Sequence, residues 1–146
     1  MTATPLAYPA KLTQDEDGRF VVTFPDFGWG ATDGANREEA LEEAQDALEE
    51  IIATYLASGD ALPKPSPARR LPLVRPSVLI AAKAALFEAF YESGMTRVAL
   101  AKALGVNEAE VRRMLSPRHK TKITRLETAL GILGKRLELS VADAAA

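Results

Sequence analysis

The chain has 146 residues, 47% of them hydrophobic, with 18 basic and 20 acidic side chains and a formal net charge of −2, which suits one ordinary domain or two small ones. With no cysteine and one histidine, it has no disulfide, thiol or cysteine-zinc chemistry, and a histidine metal site or a Ser/His relay is not expected. No apolar run reaches the roughly 18 residues of a membrane helix, and the first residues, MTATPLAYPAKL, lack the charged and apolar regions of a signal peptide, so the expected location is cytoplasmic.

Residues 5–12 read as a first strand, with Leu6, Tyr8 and Leu12 partly alternating. Asp15-Glu16-Asp17-Gly18 is a turn, and Asp-Gly is a strong hairpin signal. Phe20, Val22 and Phe24 alternate with Val21 and Thr23 in a second strand, which Pro25 ends. Residues 29–32 read as a short third strand among Gly28, Gly30 and Gly34. Asn36 then caps a helix from Arg37 to about Ala57, with Glu39 placed for a capping box. Its apolar stripe is Ala40, Leu41, Ala44, Leu48, Ile51, Ile52, Tyr55 and Leu56. Glu38, Glu39, Glu42, Glu43, Asp46, Glu49 and Glu50 occupy the rest. This acidic run is either a solvated face or part of a docking surface for a basic partner. Trp29, between two glycines, is either core or an exposed anchor for a protein partner.

Gly59 ends the helix, and residues 58–67, with three prolines, form a linker. Residues 71–74 read as a strand confined to an edge or bulge, because Pro72 lacks an amide hydrogen. It either completes the N-terminal sheet or pairs between two copies. Ser77 caps a helix to about Ser93, with Leu79, Ala82, Leu86, Phe87 and Phe90 as its core. Two short helices follow, meeting at Gly105. Val98, Ala101 and Leu104 form one face of the first, and Val111, Met114 and Leu115 the apolar face of the second. Gly105 suits a left-handed cap, and Asn107 with Glu110 forms a variant capping box. A last helix begins near Lys122, with Ile123, Leu126, Leu130 and Leu133 inward and Gly134 as its stop. Leu137, Leu139 and Val141 alternate as a final short strand, and the alanine-rich end is expected to fray.

The spacing around Gly105 has helix-turn-helix grammar: a small residue (Ala101) four before the glycine, an apolar residue (Val106) after it, and a β-branched residue (Val111) six after it. The second helix would read the major groove. The alternative is an ordinary helical hairpin with a solvated basic face. Charge favours DNA. Residues 96–127 carry eight bases against three acids, a local net of +5, which suits a phosphate-binding surface. Residues 1–66 carry four bases against thirteen acids and residues 67–146 fourteen against seven, a division that argues for two domains with different partners. The candidate DNA contacts are Thr96, Arg97, Asn107, Glu108, Arg112, Arg113, His119, Lys120, Thr121 and Lys122. Asn107, Glu108, Arg112 and Arg113 are expected toward base edges, and Lys120, Thr121 and Lys122 toward phosphates. Asp15, Asp17, Asp26 and Asp33 are the carboxylates available for a metal nuclease, but they fall at turns, where aspartate is favoured anyway. No cofactor and no metal are expected.

The layout resembles the HicB family of antitoxins, in the form that carries a C-terminal Xre-type helix-turn-helix. The resemblance is carried by Tyr8-Pro9-Ala10, Gly18, Phe20-Val21-Val22-Thr23-Phe24-Pro25-Asp26, Thr32, Gly34 and Glu38-Glu39-Ala40. It continues through Leu62-Pro63, Pro65-Ser66-Pro67, Lys83, Phe90, Leu100-Ala101, Leu104-Gly105, Thr121-Lys122-Ile123 and Ala129-Leu130-Gly131. Many members have Asp-Leu-Pro-Gly-Cys where this chain has Asp26-Phe27-Gly28-Trp29-Gly30.

The resemblance implies an α+β chain. Residues 1–66 would be a partial RNase H-like domain of β-β-β-α-β order, without catalytic acids, and residues 77–141 an all-helical helix-turn-helix domain. It also implies masking of a small basic HicA-like toxin, an mRNA-cleaving ribonuclease; from the acidity of residues 1–66 and the exposed-looking Trp29, the expected contacts are Phe27, Trp29, Ala31, Thr32, Glu42 and Glu49. Double-stranded operator DNA would be bound for autorepression, by a homodimer or dimer of dimers, with no membrane partner. The expected function is a non-enzymatic antitoxin and autorepressor. The alternative is a stand-alone helix-turn-helix regulator with a ligand-sensing N-terminal domain.

Overall fold

The N-terminal run forms two strands rather than one. In the computed structural model, which describes residues 6–144, β1 (Tyr8–Pro9) and β2 (Lys11–Gln14) are separated by Ala10. Pro9 has no amide hydrogen to continue a ladder, and the chain changes partner there. β1 pairs antiparallel with β5 (Leu73–Val74), Tyr8 opposite Val74 and Pro9 opposite Leu73. The Ala10 amide donates to the Pro72 carbonyl at 2.9 Å. Within the expected strand 71–74, only Leu73 and Val74 are extended, and they pair inside the chain. β2 joins an antiparallel meander with β3 (Phe20–Thr23) and β4 (Ala31–Gly34). Pro5 of the expected first strand, and Ala145 and Ala146 of the alanine-rich end, lie outside the described residues.

Asp15 builds the β2–β3 turn, its Oδ1 accepting the Asp17 and Arg19 amides, both at 2.9 Å. β4 starts two residues later than expected. Gly28 and Gly30 have φ of +69° and +84°, and they carry Trp29 on a loop, so that pairing begins at Ala31 opposite Thr23. Gly34 ends β4 against the next helix; a Cβ there would lie 2.4 Å from the Ala40 backbone nitrogen. That helix, α1 (Arg37–Ser58), is capped by Asn36, whose Oδ1 accepts the Glu39 amide at 2.8 Å. Glu39 reaches back to the Ala35 amide at 3.3 Å, one residue beyond the reciprocal bond of a capping box.

The proline linker is fastened to the N-terminal sheet. The Tyr8 hydroxyl donates to the Pro63 carbonyl at 2.7 Å. Asp26 accepts from the Ser66 amide at 2.9 Å and from the Ser66 hydroxyl. Beyond it, Arg69 and Arg70 both have positive φ, and the Leu71 amide closes the turn on the Ala68 carbonyl at 2.8 Å.

Four helices complete the chain: α2 (Val78–Ser93), α3 (Arg97–Leu104), α4 (Glu108–Leu115) and α5 (Ile123–Ile132). Two apolar cores result. The first gathers Tyr8, Val22, Phe24, Phe27, Leu48, Ile51, Ile52 and Val74, and takes Ala84 and Phe87 from α2. The second gathers Leu100, Ala101, Val111, Met114, Leu115, Leu126 and Leu130, and takes Ala82, Leu86, Ala89 and Phe90 from the same α2. Phe87, expected to share a core with Leu86 and Phe90, therefore belongs to the other one.

Three further expectations fail. Val98 is 63% exposed and Leu100 takes its place in the core, because the inward face of α3 is Leu100, Ala101 and Leu104 and Val98 falls outside it. Ile123, at the start of α5, is exposed, while Leu126 and Leu130 are buried. The final strand does not form. Residues 135–144 have no regular structure, and Leu139 and Val141 are 85% and 92% exposed. An alternating run without a neighbouring strand has no hydrogen-bonding partner to hold it extended.

Candidate functional site: an acidic face and a basic helix pair

The acidic side of α1 is solvated. Glu38, Glu39, Glu42, Glu43, Asp46 and Glu50 are all exposed, and among the described residues only Glu50 forms an ion pair, with Arg118 at 3.1 Å. Glu49 is half-buried, and its carboxylate accepts the Ser77 amide at 3.1 Å, which ties α1 to the start of α2. The Gln45 side chain adds a bond to the Arg75 carbonyl at 3.0 Å. Glu49 is thus committed within the chain, while Glu42 is free to face a partner.

Phe27 is not a surface residue. It is buried, with its ring 4.6 Å from Tyr8 and 5.4 Å from Tyr55. The adjoining Gly28 turns the chain outward, so the next aromatic, Trp29, is 47% exposed. Its indole stacks on Tyr55 at 6.2 Å and 11°, which presents one face to solvent. Ala31 is exposed and Thr32 half-buried along β4. Of the candidate toxin contacts, Trp29, Ala31 and Glu42 are therefore the accessible ones.

Three of the four aspartates available for a metal nuclease are engaged elsewhere. Asp15 is used in its turn and Asp26 by Ser66. Asp33 pairs with Arg19 at 2.9 Å, and that hydrogen bond holds its carboxyl below the ordinary range. Among the described residues no three of His, Cys, Asp and Glu gather to hold a metal.

In the basic half, α3 and α4 are linked by a tight turn. Gly105 has φ of +71°, and the Val106 amide closes on the Ala101 carbonyl at 3.0 Å. Thr96 and Asn107 cap the two helices, accepting the Ala99 and Glu110 amides at 3.0 and 2.9 Å. Their side-chain oxygens are thereby occupied. Arg97, Arg112 and Arg113 are exposed. Glu108 sits 4.0 Å from Arg112. Arg113 pairs with Glu110, whose other oxygen lies 3.7 Å from Arg125. Exposed pairs of this kind are weak and screened by salt, so the arginines remain available to a competing phosphate. After α4 come exposed Arg118, His119, Lys120 and Lys122 and half-exposed Thr121.

The side chain that organises this segment is Lys83, to which the residue pattern assigned no role. It lies on α2 and is fully buried. Its ammonium donates to the carbonyls of Arg113, Ser116 and His119 at 3.1, 2.6 and 2.5 Å, and to the Thr121 hydroxyl at 2.9 Å. Burial pulls its pKa from 10.5 down to about 8. A signal existed: Leu79, Lys83, Leu86 and Phe90 fall on one helical stripe, and a lysine there is charged on an apolar face.

Residues 7–85 match a family model described as the HicB_like antitoxin of bacterial toxin-antitoxin system. The chain belongs to the HicB-like antitoxin family. Relatives extend the likeness beyond α2 into the basic half. The chain is 35% identical over 136 residues to Antitoxin HicB 1 of Photorhabdus laumondii, covering 93% of this chain and 87% of that one. It is 38% identical to Antitoxin HicB 2 of the same organism, over 92% and 95%. It is 33% identical to Antitoxin HicB of Escherichia coli K12, over 92% and 98%. These HicB relatives are antitoxins, not recognised enzymes. The HicB-like fold here is a mixed α+β chain, a small strand region followed by helices. Among its described residues no helix is long and apolar enough to cross a membrane.

Proposed function

We propose that this HicB-like chain masks a small basic HicA-like ribonuclease and binds the operator of its own operon as an autorepressor. The first core, a partial RNase H-like unit, presents the toxin-facing surface: Trp29, Ala31 and the exposed acids of α1, Glu42 among them. The second core presents α3 and α4 as a helix-turn-helix. The observation that carries this reading is the two-sidedness of α4. Val111, Met114 and Leu115 are buried while Arg112 and Arg113 are exposed, and a run of exposed bases follows. A short helix with one face in a core and a basic face outward fits a major groove.

One such unit makes few base contacts, so specific operators are read by pairs. The chain acts as a homodimer or a dimer of dimers. Its residues 137–141, with Leu139 and Val141 in solvent, are the segment with most to gain from a second copy. The test is co-expression with the neighbouring toxin gene. Joint purification, rescue of growth, and protection of a two-fold operator support the function. A chain that leaves the ribonuclease active and the operator unprotected refutes it.

A further inference from the structure

We infer that Lys83 is a positioning residue for DNA binding, holding residues 116–122 in the form that presents Lys120 and Lys122 to phosphates; this rests on the DNA-binding reading above. The four oxygens that surround its ammonium come from the last turn of α4 and from the segment leading into α5. Anchored and exposed groups alternate along that segment. The His119 carbonyl and Thr121 hydroxyl point inward to Lys83, and the Lys120 and Lys122 side chains between and after them are in solvent.

Beyond Lys83 the segment is fixed by the Ser116 amide at the end of α4 and by the exposed, salt-screened Arg118–Glu50 pair. Pro117 has no amide hydrogen, and among the described residues the only backbone bond closing it internally is His119 to Ser116, at 3.4 Å. No carboxylate is among the four acceptors, so the ammonium is held by carbonyl dipoles and by the negative end of α4. An ammonium has three hydrogens and no acceptor, and it satisfies several inward carbonyls at one point, as a bound cation does. A methionine of similar length would fill the volume and leave those oxygens without a donor.

The test uses the full chain, Lys83→Met and Lys83→Gln, the glutamine keeping a donor of shorter reach should the methionine variant not fold. The probe is a 40-base-pair duplex (about four turns) from immediately upstream of the chain's own reading frame, titrated from about 50 to 200 mM salt. Wild type binds it. With Lys120 and Lys122 no longer held toward their phosphates, the variants bind about tenfold more weakly, and the slope of log affinity against log salt falls by about two units. Amides of residues 116–122 exchange faster in the variants, those of α1 do not, and capture of the toxin is unchanged. A side chain that merely fills the core would lower the melting temperature and leave the salt slope alone. Wild-type binding with an unchanged slope in a folded variant overturns the positioning role. Failure of wild type to bind the duplex overturns the DNA-binding reading itself, and the role of Lys83 with it.

Discussion

Arg118 and Glu50, 68 residues apart, meet across the two cores: the Arg118 Nη1 lies 3.1 and 3.3 Å from the two carboxylate oxygens of Glu50. The loop after α4 is thereby tethered to the acidic side of α1. Both side chains are mostly exposed, so the pair adds little stability. Glu50→Ala should cost no more than about 1 kcal/mol at low salt and close to nothing at 1 M. Urea unfolding at the two salt concentrations checks this, and a loss above about 2 kcal/mol would mean that the bridge is far better shielded than its geometry indicates.

The two cores should melt together, because α2 contributes to both. Phe87→Ala opens the first and should cost about 3–5 kcal/mol, and Leu86→Ala opens the second at about 2–5 kcal/mol. Trp29 is the one tryptophan, and its fluorescence reports the first core. Far-UV dichroism reports the helices. In wild type and in both variants the two probes should trace one transition. Two separated transitions would show that the helix does not couple the halves.

Stability should depend on pH in the alkaline range, in two opposed steps. Lys83 titrates near 8 in the folded chain and at its ordinary 10.5 when unfolded. Between those values the unfolded chain holds more protons, so unfolding free energy rises with pH. Burial, and then the charge of Asp26, push Tyr8 from 10.0 up to about 12. Between those values the folded chain holds more protons, and stability falls. Urea midpoints should therefore climb above about pH 8 and turn down above about pH 10. Lys83→Met should remove the climb and Tyr8→Phe the downturn; a wild-type profile that falls steadily from pH 8 contradicts the depressed lysine.

Trp29→Ala should separate binding from folding. The indole is half-exposed and rests on Tyr55 alone among the aromatic rings of the described residues, so its loss should cost about 1 kcal/mol or less of stability. If the ring anchors the toxin, affinity should drop by about 2 kcal/mol or more, near thirtyfold. Calorimetric titration with the toxin measures this. An unchanged affinity removes Trp29 from the interface.

Much of the helical layout was legible because it rests on local chemistry. Asn36, Ser77 and Asn107 announce helix starts by side-chain capping, and Gly59 and Gly105 announce ends by a left-handed backbone, whereas Thr96, a cap in the fold, reads in the sequence only as a DNA contact. The strands were harder. The break at Ala10 depends on a partner, Leu73–Val74, more than sixty residues away, and nothing between Leu6 and Leu12 encodes that distance. Leu137, Leu139 and Val141 have the alternation of a strand and no strand to meet. Burial is hard to read where neighbours decide it. Phe27 and Trp29 look alike in sequence, but Gly28 sends one ring into the core and the other out. A lysine on the apolar stripe of α2 signals a buried charge but not what it holds, because the partners of Lys83 are mostly backbone carbonyls, which every residue has and no composition reveals.

Different faces of α2 serve different masters, Ala84 and Phe87 one core, Ala82, Leu86 and Phe90 the other. The chain therefore has no clean seam. A fragment ending at residue 66 forfeits Val74, Ala84 and Phe87 from the core it was meant to contain, and one ending at residue 85 severs a helix in mid-course. An exchange of the basic half with that of a relative must carry α2 as a matched hinge-pin, compatible with the sheet on one side and the helices on the other. If α4 reads an operator as proposed, a new specificity is more readily reached by changing its exposed side chains than by grafting a different domain.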